Sequence, residues 1–271
     1  MIIKLFHLNI FQGIYLDRVI KFVLDNQIDI LHFQEVTSGK MSRGGGYNYP
    51  GQLANRTYNP NENFVGVNCF EEIKNSLNMH GELVKTYSLI NDEDSSLGNA
   101  TFFNDKFELL DKKVLWYKDF MQVPEGFTNI DELSRAALIL KLKTGNREFT
   151  DINTHLTWGP TPDDEPYKVE QAKILYEELK KTPAPFILSG DFNVTPETET
   201  ASMFNDLARN LTVENNVKNT LNGEIHPAKN LFPPGLAVDY IFVSQDINVK
   251  TFKVVEESLS DHLGLMLEFE L

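Results

Sequence analysis

The sequence predicts an α/β protein. Short apolar runs of strand length alternate with amphipathic helical stretches along the whole chain. No apolar run approaches the roughly 18–20 residues of a membrane span. No segment is low in complexity, and no period of roughly 20–50 residues marks a repeat array.

The elements follow in order. Ile2–Ile10 reads as a first strand. Leu16, Val19, Ile20, Val23 and Leu24 recur at helical spacing and predict one apolar stripe. Asp29–Glu35 (DILHFQE) is a second, mostly buried strand, and Ser42–Gly51 (SRGGGYNYPG) is a flexible loop after it. Further strands are expected at Glu82–Ile90, Ala100–Phe103 and Phe107–Trp116. Ala136–Lys143 and Glu148–His155 form a hairpin around Thr144-Gly145-Asn146. A Pro-rich acidic loop, Trp158–Pro166, leads into a helix through about Lys181, which Pro183 and Pro185 end; Phe186–Ser189 is a buried strand. Thr195-Pro196-Glu197 reads as a helix start, with Thr as N-cap and Pro at the first position. Ala237–Val243, Val249–Val255 and Leu263–Leu271 complete the strands. No linker interrupts the run, so one domain over residues 1–271 is expected.

Composition narrows the function. The chain is 41% apolar and 24% charged, as folded soluble proteins are. Its 25 Lys and Arg against 39 Asp and Glu leave a net charge of −14, which disfavours loose charge-driven binding to nucleic acid or anionic lipid. The apolar start Met1–Phe11 carries His7 and Asn9 and lacks a leader-like cleavage pattern. A single cysteine, Cys69, excludes an internal disulfide framework and fits a reducing compartment, so a cytoplasmic location is expected.

Several apolar strands end in a polar residue of catalytic type. KLFHLN ends at Asn9, ILHFQE at Glu35 and TDINTH at His155. FILSGDFN ends at Asp191 and Asn193, LAVD at Asp239, and Asp261-His262 opens the final strand. In α/β sheets the loops at one set of strand ends build the site. Each residue singly has a plainer explanation. Asn9 and Glu35 suit solvated strand ends, Asp191 an Asx turn, Ser260-Asp261-His262 a polar turn, and His155 a satisfied core histidine. The combination is what points to chemistry.

HLNIF, FQEV, NTHL, GDFN, VDYIFVS and SDH, in that order from Asn9 to His262, resemble the endonuclease/exonuclease/phosphatase superfamily. That group includes DNase I, exonuclease III, AP endonucleases, bacterial neutral sphingomyelinases, inositol polyphosphate 5-phosphatases and tyrosyl-DNA phosphodiesterases. The resemblance implies a four-layer αββα sandwich of two packed mixed sheets with helices outside. It implies Glu35 as principal Mg²⁺ ligand, with Asn9 and Asp261 close by, and Mn²⁺ as a substitute. Asp191 and Asn193 would position or deprotonate the attacking water and hold the phosphate. His262, oriented by Asp239, would contact the scissile phosphate or activate water, and His155 would bind a phosphate oxygen or assist the leaving group. Hard oxygen ligands without cysteine suit Mg²⁺ or Mn²⁺ better than zinc.

Arg135 resembles an arginine that reaches substrate phosphate in bacterial members, a salt bridge being its alternative. Asn99, in Gly98-Asn99-Ala100, is a candidate substrate contact or a turn residue. His7, His32 and His80 read as structural, and His226 as solvated loop. Lys40 and Arg43 are the basic residues beside the expected site, while Asp163, Asp164 and Glu165 would repel a polyanionic duplex or bind a second cation. Tyr47, Tyr49 and Trp158 are candidates for an aromatic rim. The expected function is a Mg²⁺-dependent phosphoesterase, phosphodiester ahead of phosphomonoester. It would work as a monomer without membrane insertion, on a small molecule or a nucleic acid. A DNA or RNA nuclease is the runner-up. A binding module that kept the fold is the non-enzyme alternative, and the full set of polar residues argues against it.

Overall fold

The computed structural model describes residues 1–39, 68–90, 92–124, 129–226 and 236–271. In chain order the strands are β1 (Ile3–Asn9), β2 (Ile30–Ser38), β3 (His80–Leu89), β4 (Asp92–Phe103), β5 (Glu108–Lys118), β6 (Met121–Val123) and β7 (Arg135–Thr144). They continue with β8 (Arg147–His155), β9 (Phe186–Asp191), β10 (Arg209–Asn210), β11 (Asp239–Val243), β12 (Asn248–Val255) and β13 (Gly264–Glu270). The helices are α1 (Leu16–Asn26), α2 (Cys69–Leu77), α3 (Pro166–Leu179), α4 (Glu199–Ser202) and α5 (Leu211–Glu214).

Two mixed sheets result. One has the order β12-β13-β1-β2-β4-β3-β6, the other β10-β11-β9-β8-β7-β5. Their central strands are buried on both faces, as strands covered on both sides are. In β1, Leu5 faces the inter-sheet core with Ile30, Leu138, Leu140, Phe149, Ile187, Ile241 and Leu267. Its neighbour Phe6 faces outward, where α1 and α2 cover the first sheet with Val19, Val23 and Ile73. On the second sheet α3 presents Ala172, Leu175 and Leu179 to Ile139, Ile152 and Leu188. The molecule is therefore the four-layer αββα sandwich, and α1 and the 144–147 hairpin stand as the sequence predicts.

Three local expectations change. Leu24 is 56% exposed and Phe22 is buried instead, because eight residues on from Leu16 lies about 80° round the helix. The strand expected at Ala100–Phe103 is the end of the longer β4. The helix expected from Thr195-Pro196 starts later: Thr198 is the N-cap of α4, accepting from Ala201 N–H at 3.1 Å. Thr195 N–H is instead held by the Pro162 carbonyl at 2.9 Å. Asp164 explains the shift, since its carboxylate accepts N–H bonds from Glu199 (2.7 Å) and Thr200 (3.1 Å). That acidic residue is thus a capping group within the fold.

One glycine sets the site's spacing. Gly190 sits opposite Thr154 in the β8–β9 pairing, and a Cβ there would lie 2.4 Å from Thr154 Cγ2 and 2.6 Å from its carbonyl oxygen. Without a side chain, β9 closes onto β8 and brings Asp191 alongside His155.

Candidate active site

The polar strand ends converge on one edge of the sandwich. In the second sheet, β11, β9 and β8 are neighbours, and register places Asp239 opposite Asp191 and Asp191 opposite His155. A row of three polar groups is the result. From the first sheet come Asn9 at the end of β1 and Glu35 in β2. Asp261 and His262 immediately precede β13, which pairs with β1.

Asn9 ties the two sheets together. Its Nδ2 donates to Glu35 Oε1 (3.2 Å) and to Asp191 Oδ2 (3.1 Å), while its Oδ1 accepts from Phe11 N–H (3.1 Å). Glu35 is brought out by a bulge: the β2–β4 register shifts between Phe33 and Val36, and Glu35 has φ 54°. A left-handed glutamate inside a strand costs on the order of 1–3 kcal/mol. The bulge turns it into the one half-buried side chain of an otherwise buried strand.

Asp239 is the electrostatic hub. Its Oδ2 accepts from His262 Nδ1–H at 2.9 Å, and its Oδ1 accepts from His7 Nε2–H at 3.0 Å. Burial would raise the Asp239 carboxyl, yet the His262 and His7 contacts hold it well below the usual range. Burial would likewise lower His262, but Asp239 and Asp191 outweigh it and keep the imidazole well above its ordinary value. Asp191 goes the other way from Asp239. Burial and the neighbouring Asp239 charge push its carboxyl up to about 7, against the pull of His262 and Asn9. His155 Nε2 lies 3.5 Å and His262 Nε2 3.7 Å from Asp191 Oδ2. Burial and Arg135 lower His155 well below its ordinary value, so two histidines on one carboxylate have opposite protonation tendencies.

Asn193 follows Asp191 in a left-handed turn (φ 55°). Its N–H donates to Asp191 Oδ1 (3.0 Å) and its Nδ2 to the Leu156 carbonyl (3.0 Å). Beneath this turn Lys168 is buried, its Nζ donating to the carbonyls of Thr161, Asp163 and Asn193 at 2.9–3.1 Å. Ser260 Oγ–H donates to Asp261 Oδ1 at 3.1 Å. Asn99 lies within β4 and donates across the sandwich to the Ala136 carbonyl at 2.8 Å, so it clips the two sheets together. Arg135 is buried; Nη1 donates to the Ser134 carbonyl (3.3 Å), and Nε has no hydrogen-bond partner among the described residues. Lys40, Arg43, Tyr47 and Tyr49 lie outside the described residues.

Sequence reasoning missed His7. The signal was its spacing: side chains two apart in a strand face the same way, so His7 shares a face with Asn9, Ser189 with Asp191, and Asn153 with His155. The site therefore continues inward as a polar seam between the sheets. Ser189 Oγ lies 2.7 Å from His32 Nδ1 and 3.2 Å from His7 Nδ1, His32 Nε2–H donates to Asp151 (2.5 Å), and Gln34 Nε2 donates to Asn153 Oδ1 (2.6 Å). Replacing His7 by Leu leaves the buried Asp239 with one donor fewer, His262 remaining; an unfolding free energy lower by about 1–3 kcal/mol is expected in urea titrations.

No curated protein matches the sequence. An endonuclease/exonuclease/phosphatase protein of Bacteroides vulgatus is 20% identical, with a TM-score of 0.71 over 100% of this chain and 99% of that one. A mannosyl-6-phosphatase of Bacteroides thetaiotaomicron is 18% identical, with a TM-score of 0.67 over 99% and 100%. The human Nocturnin catalytic domain, solved with a sulfate anion, is 21% identical, with a TM-score of 0.65 over 99% and 93%. At these identities the likeness shows the fold. The profile of the Endonuclease/Exonuclease/phosphatase family matches residues 9–262, from the asparagine that ends β1 to the histidine held by Asp239, and the chain belongs to that family of phosphoester hydrolases.

Proposed function

We propose that the chain is a Mg²⁺-dependent phosphoesterase, with phosphodiesters preferred over phosphomonoesters, acting as a cytoplasmic monomer of one domain. The observation that carries this reading is Asp191, a buried carboxylate raised to about 7 beside Asp239 and Glu35, with two imidazole nitrogens within 3.7 Å of one oxygen. Excess buried negative charge of this kind fits a divalent cation, and the donors at hand suit a hard one: Glu35, Asp261 and the Asn9 amide. Such a cation neutralises charge on the phosphoryl oxygens when bound. Mn²⁺ would serve equally.

The chain's own residues supply the rest. Ionised Asp191, fixed by Asn9 and the Asn193 N–H, accepts the proton of an attacking water. His262, kept cationic by Asp239, donates from Nε2 to a non-bridging oxygen. His155 and Arg135, whose Nε has no hydrogen-bond partner among the described residues, line the adjoining position, where the leaving group or a second phosphoryl oxygen would sit. Arg135 serves a small phosphoester as well as a nucleic acid, and Asn99 acts by holding the Arg135–Ala136 backbone in place.

The test is hydrolysis of bis-p-nitrophenyl phosphate and p-nitrophenyl phosphate with Mg²⁺, Mn²⁺ or EDTA. Release is expected with either metal, faster on the diester, absent in EDTA, and lowered by roughly 10²-fold or more in His262→Ala. Release that persists in EDTA, or that His262→Ala leaves unchanged, overturns the proposal.

A further inference from the structure

We infer that His226, Asp261 and His262 form a second metal site, selective for a zinc-type ion, whose occupation switches the enzyme off. One ligand atom from each of the three lies within 4.8 Å of the other two, and Asp261 and His262 are buried. The His226 and His262 rings meet edge to face at 6.1 Å between centroids, with 64° between their planes. Zinc bonds to nitrogen or oxygen of about 2.0–2.2 Å set tetrahedral neighbours about 3.4 Å apart. The three side chains therefore need only a small closure to share one ion.

The backbone builds this cluster on purpose-made supports. Asn222 N–H donates to the Asp261 carbonyl (2.7 Å), Leu263 N–H to the Thr220 carbonyl (2.7 Å), and His226 N–H to the Asn222 carbonyl (2.8 Å). Asn222 Nδ2 adds a bond to the Ser260 carbonyl at 3.0 Å. The segment 220–226 is thus pinned along 260–263, and His226 is delivered to the two residues it would join. Asp239 completes the arrangement, because it holds His262 Nδ1–H and leaves Nε2, 3.7 Å from Asp191 Oδ2, as the nitrogen available to a metal. A carboxylate behind a histidine is the usual support of a metal-ligating imidazole.

This site shares Asp261 with the oxygen-rich one proposed above, and its two imidazoles set its ligand chemistry apart. Two imidazoles and one carboxylate, with a fourth position open, suit Zn²⁺ or Co²⁺ and not Mg²⁺. A metal on His262 Nε2 withdraws the group that would donate to phosphate, so the ion inhibits. The inhibitory consequence rests on the proposed phosphoesterase reading; the binding site itself does not.

Three measurements on the full chain test it. Calorimetry with ZnCl₂ should show a site that loses roughly tenfold or more in affinity in His226→Ala, while Mg²⁺ affinity stays the same. Co²⁺ added to the wild-type protein should give the intense visible absorption of a four-coordinate, imidazole-ligated ion. In the presence of Mg²⁺, Zn²⁺ should depress hydrolysis of bis-p-nitrophenyl phosphate in the wild type and far less in His226→Ala, whose activity without Zn²⁺ matches wild type. Equal Zn²⁺ affinity in His226→Ala, a parallel loss of Mg²⁺ affinity, or only the weak bands of octahedral Co²⁺ overturns the assignment. If the wild type turns over neither ester, the phosphoesterase reading falls, and calorimetry and the Co²⁺ spectrum still decide the metal site.

Discussion

Replacing Asp191 by Asn is expected to lower kcat by roughly 10²–10⁴-fold, the worth of a well-placed proton acceptor, with the fold retained. The reason lies in how Asp191 is held. One oxygen accepts from Asn9 Nδ2 and the other from the Asn193 N–H, and register with His155 and Asp239 fixes the strand beneath it. An asparagine keeps the size and the backbone but cannot take a proton from water. Steady-state kinetics on the diester, with circular dichroism as the control for folding, check this. Appreciable residual turnover in a folded variant refutes the role.

Replacing Glu35 by Gln is expected to weaken Mg²⁺ binding by at least the 10–100-fold seen when a metal ligand merely loses its supporting partner. Glu35 is the half-buried carboxylate that the β2 bulge brings to the site edge, and Asn9 holds its Oε1. Glutamine preserves shape and removes the charge that balances the cation. Heat of Mg²⁺ binding measures the change, and unchanged affinity moves the metal elsewhere. The same titration carries a pH test. Asp191 in the metal-free protein titrates near 7, above its ordinary 3.8, so it is mostly protonated at pH 6 and mostly ionised at pH 8. Mg²⁺ and the proton compete for that charge cluster, and wild-type Mg²⁺ affinity should rise from pH 6 to pH 8. By linkage the neutral carboxyl is the form the metal-free fold favours. Asp191 therefore favours the fold below about pH 4 and loses that advantage as pH climbs through 7.

Much of the site was legible before any coordinates. Asn9, His155 and Asp191 each end an apolar run that is a strand, whereas Asp239, read as the end of the run LAVD, is the first residue of β11 and meets Asp191 through the antiparallel pairing of β11 with β9. Other parts were not legible. The turn at Thr195 carries every local mark of a helix start, yet Asp164, some thirty residues upstream, caps the chain at Glu199 instead. His7 looks like any core histidine until β11 places Asp239 beside it, 232 residues away in sequence. Asn99 reads in the sequence as a substrate contact or a turn residue, and its amide reaches across to the opposite sheet.

The kind of the elements along the chain, their covered faces and the identity of the polar groups near their ends are readable from the residues alone. Those properties reside in spacings of two to four residues, where strand and helix periods act. The fold alone sets Asp239, Asp191 and His155 in one row, joins Glu35 to Asp191 through Asn9, and pushes the Asp191 carboxyl up while Asp239 is held down. Burial and charge proximity set those outcomes. Both depend on the register of strands drawn together from opposite ends of the chain, which no local spacing records.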